Sequence, residues 1–289
     1  MNRFAVAAPI EPLALHLCHT HINPRNMRFI RPLFIIPFLI LALVACKKEK
    51  DTEPQDRDYT SAVDNNLAEI FFSDALKQSD AAAKSNELPC SANVTIDLAA
   101  SPRTMLIDFG TTNCIGSDGW LRRGKLFVTF TGPYGEPGTL ITIVPQDYFV
   151  NDHGLQGQKT VTNMGTNGQG QTFFTIVVTG TVTAPDGSWT STHSAQRVRT
   201  WVEGEGTVNP FDDVYLISGN GNGVNRKGIP YSLLITTPLR AKVGCHWITA
   251  GVLQITPGNL AVRTVDFGNG ACDNQVTVTV NGFSFTFGG

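Results

Sequence analysis

An excess of positive charge is the first thing this sequence lacks. Its 289 residues carry 22 Lys and Arg against 24 Asp and Glu, so no basic surplus exists to hold a phosphate backbone, and nucleic acid is excluded as a partner. Charge of either sign is scarce at 16%, too little for a chain disordered throughout. No apolar run reaches the roughly 20 residues that a membrane-spanning helix needs. Cys-x-x-Cys is missing, as are the Gly-x-Ser-x-Gly of serine hydrolases and the His-Arg-Asp of kinases. What is abundant is Gly (28), Pro (16) and Phe (17), with many Thr and Val. That is the composition of strands joined by tight turns.

The apolar stretch Pro32 to Ala45 holds two prolines and is too short to span a bilayer. Met27-Arg28-Phe29-Ile30-Arg31 supplies a basic start, and small residues follow, as in a secretory signal. Leu43-Val44-Ala45-Cys46 resembles the lipobox of bacterial lipoproteins, which implies cleavage before Cys46 and its acylation with palmitate-like chains. Residues 1–45 then form an upstream extension and signal peptide, with Met27 as the true start. Removing them leaves 18 basic and 23 acidic side chains, a mildly acidic exported chain. Lys47 stands where an Asp marks inner-membrane retention in many such proteins, so the expected site is the outer membrane, facing either the periplasm or the outside. Residues 46–58 are a lipidated, charged tether without large apolar side chains.

Over 59–86 the spacing of Val63, Leu67, Ile70 and Phe71 predicts an amphipathic helix covering one face of a sheet, with Ser61 and Asp64 as a capping box. From 87 to 289 the period is two, in runs such as Leu126 to Phe130, Leu140 to Val144, Phe173 to Val178, Val214 to Ile217 and Leu233 to Ile235. Asn281-Gly282 predicts a two-residue hairpin pairing Val280 with Phe283, Val278 with Phe285 and Val276 with Phe287, closing the core. The fold class expected is therefore all-β, mainly antiparallel, elongated or sandwich-like, with one N-terminal amphipathic helix.

The order Cys, Asp-Phe-Gly, Cys occurs twice, over 90–114 and 245–272. In an oxidising envelope compartment four thiols allow three pairings, and the repeat favours Cys90 with Cys114 and Cys245 with Cys272 over a zinc site. The helix behind a charged tether, these paired segments, Tyr148-Phe149-Val150-Asn151 and Asp212-Asp213-Val214-Tyr215 together resemble uncharacterised β-rich lipoproteins of the Bacteroidota type. The resemblance implies location and fold and brings no catalytic residue.

Other chemistry has weaker support. His153, His193 and His246 are unpaired in sequence, so no metal site is expected, and no cofactor. Gly219 to Gly223 reads as a flexible connection rather than a calcium loop. Trp120, Trp189, Trp201 and Trp247 are expected to pack rather than to stack on sugars. One acidic constellation is worth following: Glu203 and Glu205, near Asp212 and Asp213. On one strand face the two glutamates would stand about 7 Å apart, within range of a glycosidase pair, although Gly204, Gly206 and Pro210 suggest a turn. The expected role is a non-catalytic envelope protein with a binding or structural task and a protein or glycan partner. The alternative is a hydrolase acting on a glycan or another envelope polymer.

Overall fold

The computed structural model describes residues 56, 58–84, 88, 92–207, 209–245 and 247–287. The extension, the signal, Cys46, most of the tether, Cys90 and His246 lie outside the described residues.

Among the described residues one α-helix, α1 (Thr60–Lys84), precedes fourteen strands. They are β1 (Asn93–Asp97), β2 (Arg103–Asp108), β3 (Cys114–Ile115), β4 (Leu121–Phe130), β5 (Leu140–Val150), β6 (His153–Thr166) and β7 (Thr172–Thr183). There follow β8 (Thr190–Glu203), β9 (Val214–Val224), β10 (Pro230–Lys242), β11 (Ile248–Pro257), β12 (Arg263–Asn269), β13 (Val276–Val280) and β14 (Phe283–Phe287). All pair antiparallel in one continuous hydrogen-bonded sheet, so the expected class holds. Apart from β3, a branch on β4, the order across the sheet is the order along the chain. Each connection is therefore a turn at one end or the other, the ends alternating strand by strand.

The helix differs from expectation. Its buried side chains include Ala68, Phe71, Phe72, Ala75 and Leu76, but equally Ser61, Asp64, Asn65, Asp74, Gln78 and Ser79. Its buried arc is broad and partly polar, while Val63, Asn66 and Lys77 lie exposed on the other side. Asp64 pairs with Arg226, in the turn after β9, and Asp74 with Arg122 on β4. Those two carboxylates are ten residues apart, about 15 Å of helix, whereas five strand spacings occupy about 24 Å of flat sheet. The sheet must curve around the helix to meet both. One core, built from Phe71, Phe72, Leu126, Val128, Ile143, Tyr148, Val161 and Phe174, fills the curve from β2 to β8. A second, from Tyr231, Leu233, Leu253, Ile255, Val278 and Val280, lies over β10 to β13 and takes in Tyr59 and Ala62.

The final hairpin has the expected register at Val276–Phe287, Val278–Phe285 and Val280–Phe283. Asn281 and Gly282 take φ of 51° and 79°, the two positive values that a tight hairpin turn with the right-handed strand twist requires. Its face is only half used, because Val278 and Val280 are buried while Phe283 and Phe287 are 56% and 47% exposed. The capping box is replaced by another arrangement. Asp58 Oδ1 accepts the Thr60 amide at 2.9 Å, and Ser61 Oγ accepts Asn225 Nδ2 at 2.8 Å. Gly219 to Gly223 is no loose connection but the body of β9. A β-carbon at Gly223 would stand 2.6 Å from the Tyr231 hydroxyl, so its glycine makes room for the core beneath.

Candidate functional site

The chemistry of the described residues is concentrated where α1 crosses the strands. Four acidic groups arranged about five residues apart meet cations from successive parts of the sheet. Asp58 Oδ2 receives Lys227 Nζ at 3.1 Å. Asp64 receives the Arg226 amide and Nε, each at 2.6 Å. Glu69 receives Arg197 from β8, and Asp74 Oδ1 receives Arg122 Nη2 from β4 at 2.7 Å. Asp56, just before the helix, receives Arg263 Nη2 from β12 at 2.5 Å.

Arg122 and Arg263 are fully buried, so each guanidinium must be satisfied internally. Arg122 also reaches Asp118 Oδ2 at 2.6 Å, and Tyr148 donates its hydroxyl to Asp74 at 3.3 Å. Burial opposes the Arg122 charge, but the bonds from Asp74 and Asp118 outweigh it and hold its pKa above the ordinary value. Burial likewise opposes ionisation of Glu69, and the charges of Arg197, His193 and Lys159 overcome it, keeping the carboxyl below its usual range. The Thr60 hydroxyl bond, aided by Lys227, lowers Asp58 to about 2.

Two basic groups beside Glu69 are less well served. Lys159 on β6 donates to the Phe72 carbonyl at 3.3 Å, and burial lowers its pKa to about 8. His193 on β8 is buried, its Nε2 3.5 Å from Glu69 Oε1, and neither ring nitrogen has a hydrogen-bond partner among the described residues. Burial depresses its pKa too. These ion pairs hold the helix against the sheet.

The sequence hid this arrangement. Its signal is an acidic residue every five or six positions along the helix, together with lone cations at inward positions of β4, β6 and β8.

The acidic constellation expected from sequence is brought to one end of the sheet but does not converge. Glu203 faces Arg240 Nη2 at 3.3 Å, Glu205 accepts the Thr172 hydroxyl on β7, and Asp212 accepts the Thr207 hydroxyl at 3.0 Å. Asp213 is buried. Each of the first three carboxylates thus serves a different partner.

The two Asp-Phe-Gly segments form the same turn. Asp108 Oδ1 accepts the Gly110 amide at 2.9 Å, and Asp266 Oδ1 accepts that of Gly268 at 2.8 Å. Cys245 and Cys272 are bonded, with Cα atoms 5.9 Å apart. Cys114 is also a disulfide cysteine, while its expected partner Cys90 lies outside the described residues. Among the described residues no group of three or more His, Cys, Asp or Glu is placed to hold a metal ion.

The tryptophans divide. Trp120 and Trp189 are half-buried in a row with Phe71 and His153, ring centroids 5.5 to 6.2 Å apart. Arg226 covers one face of Trp189 at 3.8 Å. Trp201 packs on Tyr215 at 5.4 Å. Trp247 is 46% exposed, against the expectation that all four would pack. Comparison with known proteins returns no match to a protein family, a curated protein or a solved structure.

Proposed function

We propose that the protein is an envelope lipoprotein, held in the outer membrane through acylated Cys46, whose exported sheet has a non-catalytic binding or structural role. The observation that carries the non-catalytic part is the separate engagement of Glu203, Glu205 and Asp212, where a hydrolase of glycans or envelope polymers would need carboxylates aimed at one bond. The cluster under α1 supports the same reading, since its strongest charges are spent on holding helix to sheet. The anchor is supported by the Leu43-Val44-Ala45-Cys46 order behind a short apolar run. The Cys245–Cys272 bond is of the kind that persists in oxidising compartments. Two or more acyl chains hold a protein on a bilayer essentially permanently.

The test is metabolic labelling with a radioactive fatty acid, followed by membrane fractionation. Labelling of the wild-type chain in the outer-membrane fraction and its loss in Cys46→Ala is the expected result; label retained by Cys46→Ala would refute the anchor. Glu203→Gln with Glu205→Gln should leave the biological role intact. Glycan cleavage by the purified protein that fell at least about a hundredfold in that variant would establish the hydrolase instead.

A further inference from the structure

Phe211, Val243 and Trp247 are 66%, 47% and 46% exposed. They belong to two loops, 204–213 and 243–247, at the same end of the sheet. The Val243 amide donates to the Asp213 carbonyl at 3.0 Å. A β-carbon on Gly244 would stand 3.0 Å from the Phe211 carbonyl oxygen, so the loops touch and carry the three exposed residues at one end of the sheet. Isolated exposed apolar residues are ordinary, but a cluster marks an interaction surface.

Cys245 lies between Val243 and Trp247, and its bond to Cys272 ties the patch to loop 270–275. Beside that loop is a notch lined by Asp266, Phe267, Asp273, Gln275 and Thr277, among others. The surroundings are acidic. Among the described residues Glu203, Glu205, Asp266 and Asp273 are exposed and Asp212 is half-buried, against Lys242 and Arg240, and Arg240 already faces Glu203.

We propose that this end of the sheet docks a cationic, apolar segment of a partner protein. Phe211 and Trp247 are the large anchors that interface centres favour, and the carboxylates form a rim that attracts basic residues and repels anionic lipid or nucleic acid. The start of α1 is fixed by Lys227 and Arg226 in the turn after β9, at the opposite end of the strands from these residues.

The binding test does not depend on acylation, so its failure is distinct from failure of the labelling experiment. The full chain in detergent micelles is titrated with a twelve-residue peptide of alternating Lys and Leu, and with versions carrying Glu for Lys or Ser for Leu. Binding of the Lys-Leu peptide alone is expected, weakening with salt. Trp247→Ala and Phe211→Ser should each weaken it at least about tenfold, and Asp273→Asn should flatten the salt dependence. Val177→Ser, on the outer face of β7, serves as control and should bind as wild type. Equal binding of the Glu peptide, or indifference to Trp247→Ala and Phe211→Ser, would overturn the proposal. So would a blue shift of Trp247 fluorescence on neutral phosphatidylcholine vesicles, or self-association of the chain abolished by the same substitutions. Binding of a neutral glycan in place of the peptide would overturn it as well.

Discussion

Lys159 is a buried amine whose environment favours the neutral form. Its pKa falls from 10.5 to about 8 through burial, so between those pH values the unfolded chain holds a proton that the folded chain has released. Stability therefore rises with pH across that window, and below it the folded protein carries a penalty of about 3 kcal/mol. Lys159→Met should raise unfolding free energy at pH 7 by up to that amount and remove the rise between pH 8 and 10.5, as read by urea titration. His193 acts in the same sense lower down: its depressed pKa means that stability falls as pH drops below 6.5. The lowered carboxyls of Glu69, Asp56 and Asp58 extend the loss, because their contribution is full above about pH 4.5 and disappears as acid protonates them in the folded state. Asp74 is the residue whose loss should be felt most. Asp74→Ala strands the fully buried Arg122 with Asp118 as its one remaining carboxylate, for an expected cost of about 3 to 5 kcal/mol. Equilibrium denaturation measures it, and Asp74→Asn, which keeps the acceptor, should cost less.

At the scale of elements, the seat of α1 on β7 is set by a glycine. A β-carbon at Gly180 would come within 2.2 Å of Phe72 Cζ and 2.5 Å of the Gln156 carbonyl oxygen. Gly180→Ala should therefore destabilise by about 1 to 3 kcal/mol. Phe72→Leu in the same chain should recover part of that, because the ring tip can be shortened while the β6 backbone cannot yield. Thermal unfolding of the two single variants and the double one separates the terms. The helix itself was legible, its spacing giving 59–86 against the observed Thr60–Lys84, and so was the last hairpin, whose Asn-Gly turn fixes every pair. Strands β6 and β8 were not among the runs that alternation revealed. Their inward positions hold Lys159, Asn163, Ser191, His193 and Arg197, so the partners demanded by the helix carboxylates erase the alternation by which a half-buried strand is recognised. The same cause made Gly219 to Gly223 look like a linker: those glycines lie over Arg197 and Tyr231, and Arg197 donates to the Asn220 carbonyl.

At the scale of the molecule, the disulfide that joins loops 243–247 and 270–275 was legible from the repeated Cys and Asp-Phe-Gly order, since both copies build the same turn. The docking surface beside it was not, because nothing local distinguishes an exposed Trp247 from the half-buried Trp120. Reduction of Cys245–Cys272, which closes a loop with a separation of 27 residues, should lower stability by about 3 to 4 kcal/mol. Thermal melts with and without reductant read this. The strand order, which follows the chain from β1 to β14 apart from the β3 branch, bears on how the protein is born. In such a meander every strand finds its neighbour within one turn, so the sheet can grow in step with a chain delivered N-terminus first, without waiting for distant segments. The helix emerges before all of it. The carboxylates of Asp74, Glu69, Asp64 and Asp56 are neutralised one after another as Arg122, Arg197, Arg226 and Arg263 arrive in that order, so the nascent sheet is wound onto a core element already present, and the last of these arginines secures the first of these four acids.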